Sequence, residues 1–506
     1  MSLTVGLDFG THQTKICIEN AASPTQKIYE FLEIENQLLF PSVVQINEDD
    51  TLSYGIINEK SKELSSNIYS KPLLKEFQKP ECVLPPKPKK NVVRGLSLKE
   101  QIEYNKKFDD ELENWELDCI AIKIDYEYDV QEYFELQNQA QKEYEIELSN
   151  WQEKNKPQKQ IFRYFKLATF SNQPWDFIIK PEIISVWYIT FIFFKIIEKY
   201  GNNFYTQLGV PYNVNNKDGD IQKERAFKIL IAANNLIDHY QNIDDFLNET
   251  YLNLIQVTCL IDVKESDKQK YGINVIPEAF AGLTSVTQQG KISEGMHLLI
   301  DIGGGTTDIA FFTITKNKLP NIHRVLSFPK GLNFIFNEFN FRNNIFNTND
   351  TQNKFFKSQN EFSKEITTYH AELDRHNNKI IQEIIDVFTN DKTQHELDLI
   401  QLTNAMQDRP ILFCGGGSMY KVMRKGNKYF TDIQLINKDV LSITNVKNSN
   451  FPDLYYTILA TSYGLSIQLE NEIELTDINF VFSHLKTNKN ELKNINDHEE
   501  HGLADA

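Results

Sequence analysis

The chain has 506 residues, 41% of them hydrophobic and 24% charged, which is too long for one core and fits a globular protein of two to four lobes. A formal charge of −17 argues against broad nucleic-acid binding and against adhesion to anionic membranes. The five cysteines (Cys17, Cys82, Cys119, Cys259 and Cys414) are scattered without CxxC spacing, so neither a zinc site nor a disulfide framework is expected, and a reducing cytoplasm suits them.

The first residues, MSLTVGLDFG, have no basic or long apolar stretch and do not read as a signal peptide. Leu3, Val5, Leu7 and Phe9 lead into a turn at Gly10-Thr11-His12, and Ile16 and Ile18 lead out, which predicts a β-hairpin. Strands follow around Pro41 to Ile46 and Thr51 to Tyr54. Residues 79–90 are rich in proline and lysine and predict an irregular linker. From Ser97 to Lys154 the chain is charged with apolar residues at helical spacing, predicting two helices with a break near Asp125 to Asp129.

Pro181 to Tyr200 predicts a helix. Its apolar run, Ile183 to Phe194, is shorter than the ~20 residues a membrane span needs and reads as buried. Strands are expected at Phe204 to Val210, Leu254 to Asp262 and Ile411 to Cys414, and a second hairpin at Leu298 to Ile314. Helices are expected at Asp220 to Leu236, Pro277 to Gln288, much of Phe339 to Phe388, and Tyr455 to Leu469. The acidic tail, 483–506, reads as disordered. The alternation predicts an α/β fold with mixed sheets covered by helices.

One hairpin design occurs twice. VGLDFGTHQTK (5–15) and LLIDIGGGTTDIA (298–310) each carry an apolar strand, a terminal aspartate, a glycine turn with threonine, and a second strand. Glycine lets such a turn approach a ligand closely, and its converging N–H groups form a nest for phosphate oxygens. A carboxylate beside phosphate requires a cation between them, so Asp8 and Asp301 imply Mg²⁺, held largely through water.

The pair resembles the two phosphate motifs of the actin, sugar-kinase and heat-shock-chaperone ATPase superfamily. INVIPEAFAG (273–282) and LATSYG (459–464) resemble its two connecting helices, and FCGGGSMY (413–420) its adenosine motif. Three further segments resemble the nucleotide-binding domain of the 70-kilodalton heat-shock chaperones: LLFPSVVQINEDDTLSYG, IYSKPLLKEF, and QLGVPYN with KERAFKILIAANNL. The Pro277-Glu278 order, by contrast, looks more like actin-like plasmid-segregation proteins.

The resemblance implies a two-lobed actin-like ATPase fold, a duplicated ribonuclease-H-like domain with a helical insertion. Lobe I would span 1–210 with 78–159 as the insertion. Lobe II would span 211–482, with the helix at about 455–469 packing back on lobe I. It implies ATP and Mg²⁺ as ligands, Asp8 and Asp301 holding the hydrated ion. Gly10, Thr11 and His12 would cradle phosphate from one side, and Gly303, Gly304, Gly305 and Thr306 from the other. Lys71 would offset phosphoryl charge, Glu278 would orient the attacking water, and Asp301 and Thr306 would complete the catalytic set. Gly415, Gly416, Gly417 and Ser418 would contact the nucleoside. Asp308 would support the second hairpin.

The implied activity is slow ATP hydrolysis driving a cleft-closure switch, read by protein partners in a chaperone-like manner. The alternative is an actin-like filament protein that assembles with itself. Residues 90–158 are either a solvated decoration or the arm through which a partner or a second copy engages.

Overall fold

Alternating apolar residues build two sheets of one design. The structure, a computed structural model, describes residues 2–23, 26–64, 71–91, 94–95, 97–154, 158–171, 175, 177–214, 217–287, 292–314, 320–343, 348–390, 406–407, 409–443, 445–448, 450–468 and 475–476. The acidic tail lies outside these residues. The chain divides into two compact units, 1–62 with 159–506, and 63–158.

In the first unit one sheet runs in the order Ile273–Pro277, Tyr205–Val210, Ser2–Phe9, Gln13–Ser23, Gln26–Phe31, with Phe40–Pro41 beside Gln13–Ser23. The other runs Pro320–Phe328, Thr307–Ile314, Gly295–Ile302, Ile411–Cys414, Ile433–Leu435. Counted along the chain, each has the order 3-2-1-4-5. In each, strand 1 is antiparallel to strand 2 and parallel to strand 4. Two sheets with the same order and the same pairing make the fold a duplicated, two-lobed actin-like one.

Ile273–Pro277 is parallel to Tyr205–Val210, so a strand from beyond residue 210 joins the sheet of the first hairpin. Such pairing joins segments far apart in sequence, and local pattern does not reveal it. Two helices, Glu278–Thr287 and Tyr455–Ser466, pack against each other and against strands of both sheets. Their approach is close: a Cβ on Gly464 would lie 1.8 Å from the Ala281 carbonyl oxygen. Gln207 Nε2 donates to the Leu465 and Ile467 carbonyls at 2.7 Å, tying the second helix to the first sheet.

Helix Pro181–Tyr200 is buried along most of its length, stacking Tyr188 on Phe9 and Phe40. No described helix is long and apolar enough to cross a membrane. The strand expected at Leu254 to Asp262 is instead helix Tyr251–Leu260. The Thr250 hydroxyl caps it by accepting from the Asn253 N–H, and Tyr251 and Leu254, three apart, are its buried residues.

The second unit contains one helix, Leu98–Lys154, of 57 residues and about 85 Å. The expected break is absent because Asp125 to Asp129 contains neither glycine nor proline. The half-buried stripe of Trp115, Cys119, Ile122, Tyr126, Val130 and Tyr133 runs straight through it. Residues 71–91 are irregular, as the proline and lysine content predicts.

The Gln160 N–H donates to the Lys62 carbonyl at 2.9 Å, so the chain leaves and re-enters the first unit at adjacent points. Joining Lys62 to Lys159 through a short glycine-serine linker therefore leaves the first unit folded. Its melting temperature is expected within ~3 °C of the full chain's first transition. Loss of cooperative melting would mean that 63–158 belongs to the core.

Candidate functional site

The two hairpins place like positions in like places. Register sets Asp8 opposite Lys15 in the first and Asp301 opposite Asp308 in the second. Strand alternation points these side chains to one face of each sheet, where the turns meet. A Cβ on Gly304 would lie 2.3 Å from His12 Cδ2, and one on Gly305 would lie 2.7 Å from Thr11 Oγ1. Only glycine lets the second turn come this near the first. His12 Nε2 also bonds Asn333 Oδ1, from the helix Leu332–Asn343 behind the second turn. Burial lowers the His12 pKa and favours the neutral ring.

Between the turns lies a cavity of about 350 Å³. Asp8, Gly10, Thr11, His12, Lys15, Lys166, Glu278, Asp301, Gly303, Gly304 and Thr306 line it. Gly415, Gly416, Gly417, Met419, Tyr420, Phe336 and Phe356 line it as well, with Gly415 directly beside Asp301. That volume falls in the range of small-ligand sites. Among these, Phe356 and Tyr420 stack with ring centroids 5.9 Å apart and planes 18° apart.

The polar groups are tightly wired. Lys15 Nζ pairs with Asp8 Oδ2 at 2.6 Å. Thr461 Oγ1, on the helix Tyr455–Ser466, donates to Asp301 Oδ2 at 2.7 Å. Thr306 Oγ1 donates to Asp308 Oδ2 at 3.0 Å. Lys166, on the short helix Phe165–Ser171, forms an ion pair with Glu278, and both side chains are almost fully buried. Glu278 opens its helix directly after Pro277 ends the strand, so the strand's end and the helix N-terminus aim it at the cavity.

Electrostatics follow from the count. Four buried carboxylates, Asp8, Glu278, Asp301 and Asp308, face two lysines, Lys15 and Lys166. Burial raises the Asp301 carboxyl above its ordinary range, with Asp8 pushing the same way. Burial raises Glu278 and Asp308 too, each pushed further by neighbouring carboxylates and only partly opposed by Lys166. Burial opposes the Lys166 charge, but Glu278 and Asp8 outweigh it and hold that pKa up. The pocket thus carries surplus negative charge in a poorly solvated space.

That surplus has a stability consequence. A carboxyl raised on folding binds its proton more tightly in the folded state. Its stabilising effect is full below about pH 4 and is lost as pH rises through the folded pKa. Asp308→Asn removes that loss while keeping an acceptor for Thr306. Without divalent cation it is expected to raise the melting temperature by at least ~2 °C at about pH 7.5, with the gap closing towards about pH 4.5. Thermal unfolding across that range checks this. A lower melting temperature at neutral pH would show that the Thr306 bond matters more than the charge.

The expected residues do not all fall together. Ser418 is fully buried, with its hydroxyl donating to the Cys414 carbonyl, and it does not line the cavity. Gly305 is buried against Thr11 of the first turn and does not line it either. Gly415 has φ +84°, and a Cβ there would lie 2.0 Å from Asp301 Oδ1, so both the backbone and the close approach require glycine. Lys71 is an exposed residue of the second unit. In the first unit the lysines facing the cavity are Lys15 and Lys166. Lys15 was legible within the first hairpin as the residue opposite Asp8. Lys166 carried no motif, and its only signal was a lysine inside an apolar helical run, FKLATF.

Among the described residues no three His, Cys, Asp or Glu side chains converge closely enough to hold an ion directly. Asp8 and Asp301, both lining a cavity with surplus negative charge, fit a cation held through its water shell.

No family model matches the chain, and no curated protein matches it. Solved structures do. A ParM filament from Clostridium botulinum is 13% identical, covering 92% of this chain and 99% of that one, with a TM-score of 0.37. MreB5 of Spiroplasma citri bound to AMPPNP is 11% identical, covering 98% and 99%, with a TM-score of 0.38. The same protein bound to ADP is 12% identical, covering 92% and 95%, with a TM-score of 0.37. At these values the matches carry no argument about the fold or the activity of this chain. None of the three is a heat-shock chaperone.

Proposed function

We propose that the chain binds ATP with Mg²⁺ and hydrolyses it slowly, and that the bound nucleotide sets the relation of the two lobes. The observation that carries this reading is the cavity itself. Two glycine turns, buried carboxylates, a glycine run and a pair of stacked aromatic rings all line it. A polyanion with a flat base suits that set of groups. Backbone N–H groups of the turns at Gly10 to His12 and Gly303 to Thr306 would bind phosphate oxygens. Gly415 to Gly417 would leave room for the nucleoside, with Phe356 and Tyr420 beside the base.

Mg²⁺ would sit near Asp8 and Asp301 through water and would supply charge neutralisation at the phosphates. Glu278 would orient the attacking water and receive its proton late. Lys166 would hold Glu278 in place and counter charge on the phosphoryl group. Catalysis of this kind is mostly positioning and fixed charge.

Two outputs are compatible with this chemistry: partners that read the nucleotide state, and assembly of the chain with itself. Phosphate release per molecule, measured across a wide range of protein concentration, separates them. A steep rise above a threshold, with sedimenting polymer, establishes assembly. A flat rate establishes a self-contained switch. No phosphate release with ATP and Mg²⁺ at any concentration would overturn the proposal.

A further inference from the structure

The long helix of the second unit has two apolar faces, and only one has a covering segment in the described contacts. At 100° per residue, Trp115, Cys119, Ile122 and Tyr126 share one side, while Leu117, Ile120, Ile124 and Tyr128 share the opposite one. The first side is overlaid by the irregular segment 71–91, running antiparallel to the helix. The Asn91 N–H donates to the Tyr104 hydroxyl at 3.1 Å, Lys90 lies over Phe108 and Lys87 over Trp115, and the Trp115 indole donates to the Pro85 carbonyl at 2.9 Å. That segment has six lysines against two glutamates, interleaved with proline, leucine and valine.

The opposite side is open. Leu117, Ile120, Ile124 and Tyr128 are 58%, 55%, 48% and 69% exposed. Glu116 and Glu127 border them on one flank, and Asp118, Asp125 and Glu132 on the other. Over the whole helix acidic residues outnumber lysines seventeen to six. Four apolar side chains within three turns form a patch rather than scattered surface hydrophobics.

We propose that this second face is a docking surface for a lysine- or arginine-rich amphipathic segment of a partner protein. The rim decides the occupant. Two copies of this face would set carboxylate rim against carboxylate rim, and a nucleic acid or anionic lipid would meet the same repulsion. A cationic segment with spaced apolar residues satisfies both the stripe and the rim. The helix already holds a segment of that composition on its covered side. The argument is independent of the nucleotide site.

The probe is a labelled synthetic peptide with leucines at helical i, i+3 and i+4 spacing and lysines elsewhere. Its counterpart has glutamate in place of lysine. Fluorescence anisotropy against the full chain is compared with the Ile120→Ser/Ile124→Ser variant, which keeps every charge and whose helix content is checked by circular dichroism. The lysine peptide is expected to bind the parent chain, more weakly as salt rises, while the glutamate peptide does not. The variant is expected to bind at least ~10-fold more weakly, about 1.4 kcal/mol. Equal binding to parent and variant would show charge attraction without a site and would overturn the proposal. So would sedimentation showing that the parent self-associates and the variant does not, since a second copy would then be the occupant.

Discussion

Asp301→Asn is expected to abolish Mg²⁺-dependent ATP turnover, by at least ~10²-fold, while leaving the fold intact or slightly more stable. The side chain keeps its shape. Its amide oxygen still accepts from Thr461, which donates at 2.7 Å in the parent, and Gly415 still gives it room. What disappears is a buried negative charge. Burial raises the Asp301 carboxyl, with the Asp8 carboxylate adding to the effect, so the empty folded protein gains by losing that charge at neutral pH. In the proposed chemistry the same charge orders the water shell of the metal, so the nucleotide-loaded protein loses by it. Opposite signs for apo stability and turnover form a signature that simple misfolding would not produce. Thermal unfolding without nucleotide and phosphate release with saturating ATP and Mg²⁺ measure the two. Full turnover in the variant would remove Asp301 from the site.

The paired hairpins were legible because each is local. An Asp, a glycine turn and a threonine within about ten residues fix both shape and chemistry without help from the rest of the chain. The shared 3-2-1-4-5 order was legible only as an implication of resemblance. The parallel pairing of Ile273–Pro277 with Tyr205–Val210 leaves no periodic trace in the sequence. Tyr251–Leu260 was misread as a strand because a short apolar run suits either state, and the Thr250 cap decided it. The long helix was divided at a cluster of aspartates and tyrosines. Those residues lower helix propensity only slightly, and the stripe beneath them continues. The cavity-lining Lys166 was hardest to read. Lys166 meets Glu278 across 112 residues of sequence, and the second unit, 63–158, separates it from the first hairpin. Lys71 attracted the role through a short segment match.

Lys166→Met tests that reassignment and carries the second large effect. Removing the ammonium leaves Glu278 buried with Asp8, Asp301 and Asp308 and no charge partner of its own. Breaking a buried pair from one side costs about 3–5 kcal/mol, because the remaining charge must stay desolvated or take up a proton. The single variant is therefore expected to melt well below the parent at neutral pH and to recover part of the difference as pH falls and Glu278 protonates. The double variant Lys166→Met/Glu278→Gln has no unpaired charge and is expected to regain most of the stability, to within about 1–2 kcal/mol of the parent. Turnover should stay lost in both, by at least ~10²-fold, since neither can position the attacking water. Stability that returns without activity separates a catalytic pair from a merely structural one. Lys71→Met is the contrast and is expected to leave turnover within about twofold, as an exposed lysine in a different unit should. If turnover instead collapses in Lys71→Met and survives in the double variant, the phosphoryl-facing charge belongs to Lys71 and the Lys166–Glu278 pair serves only the fold.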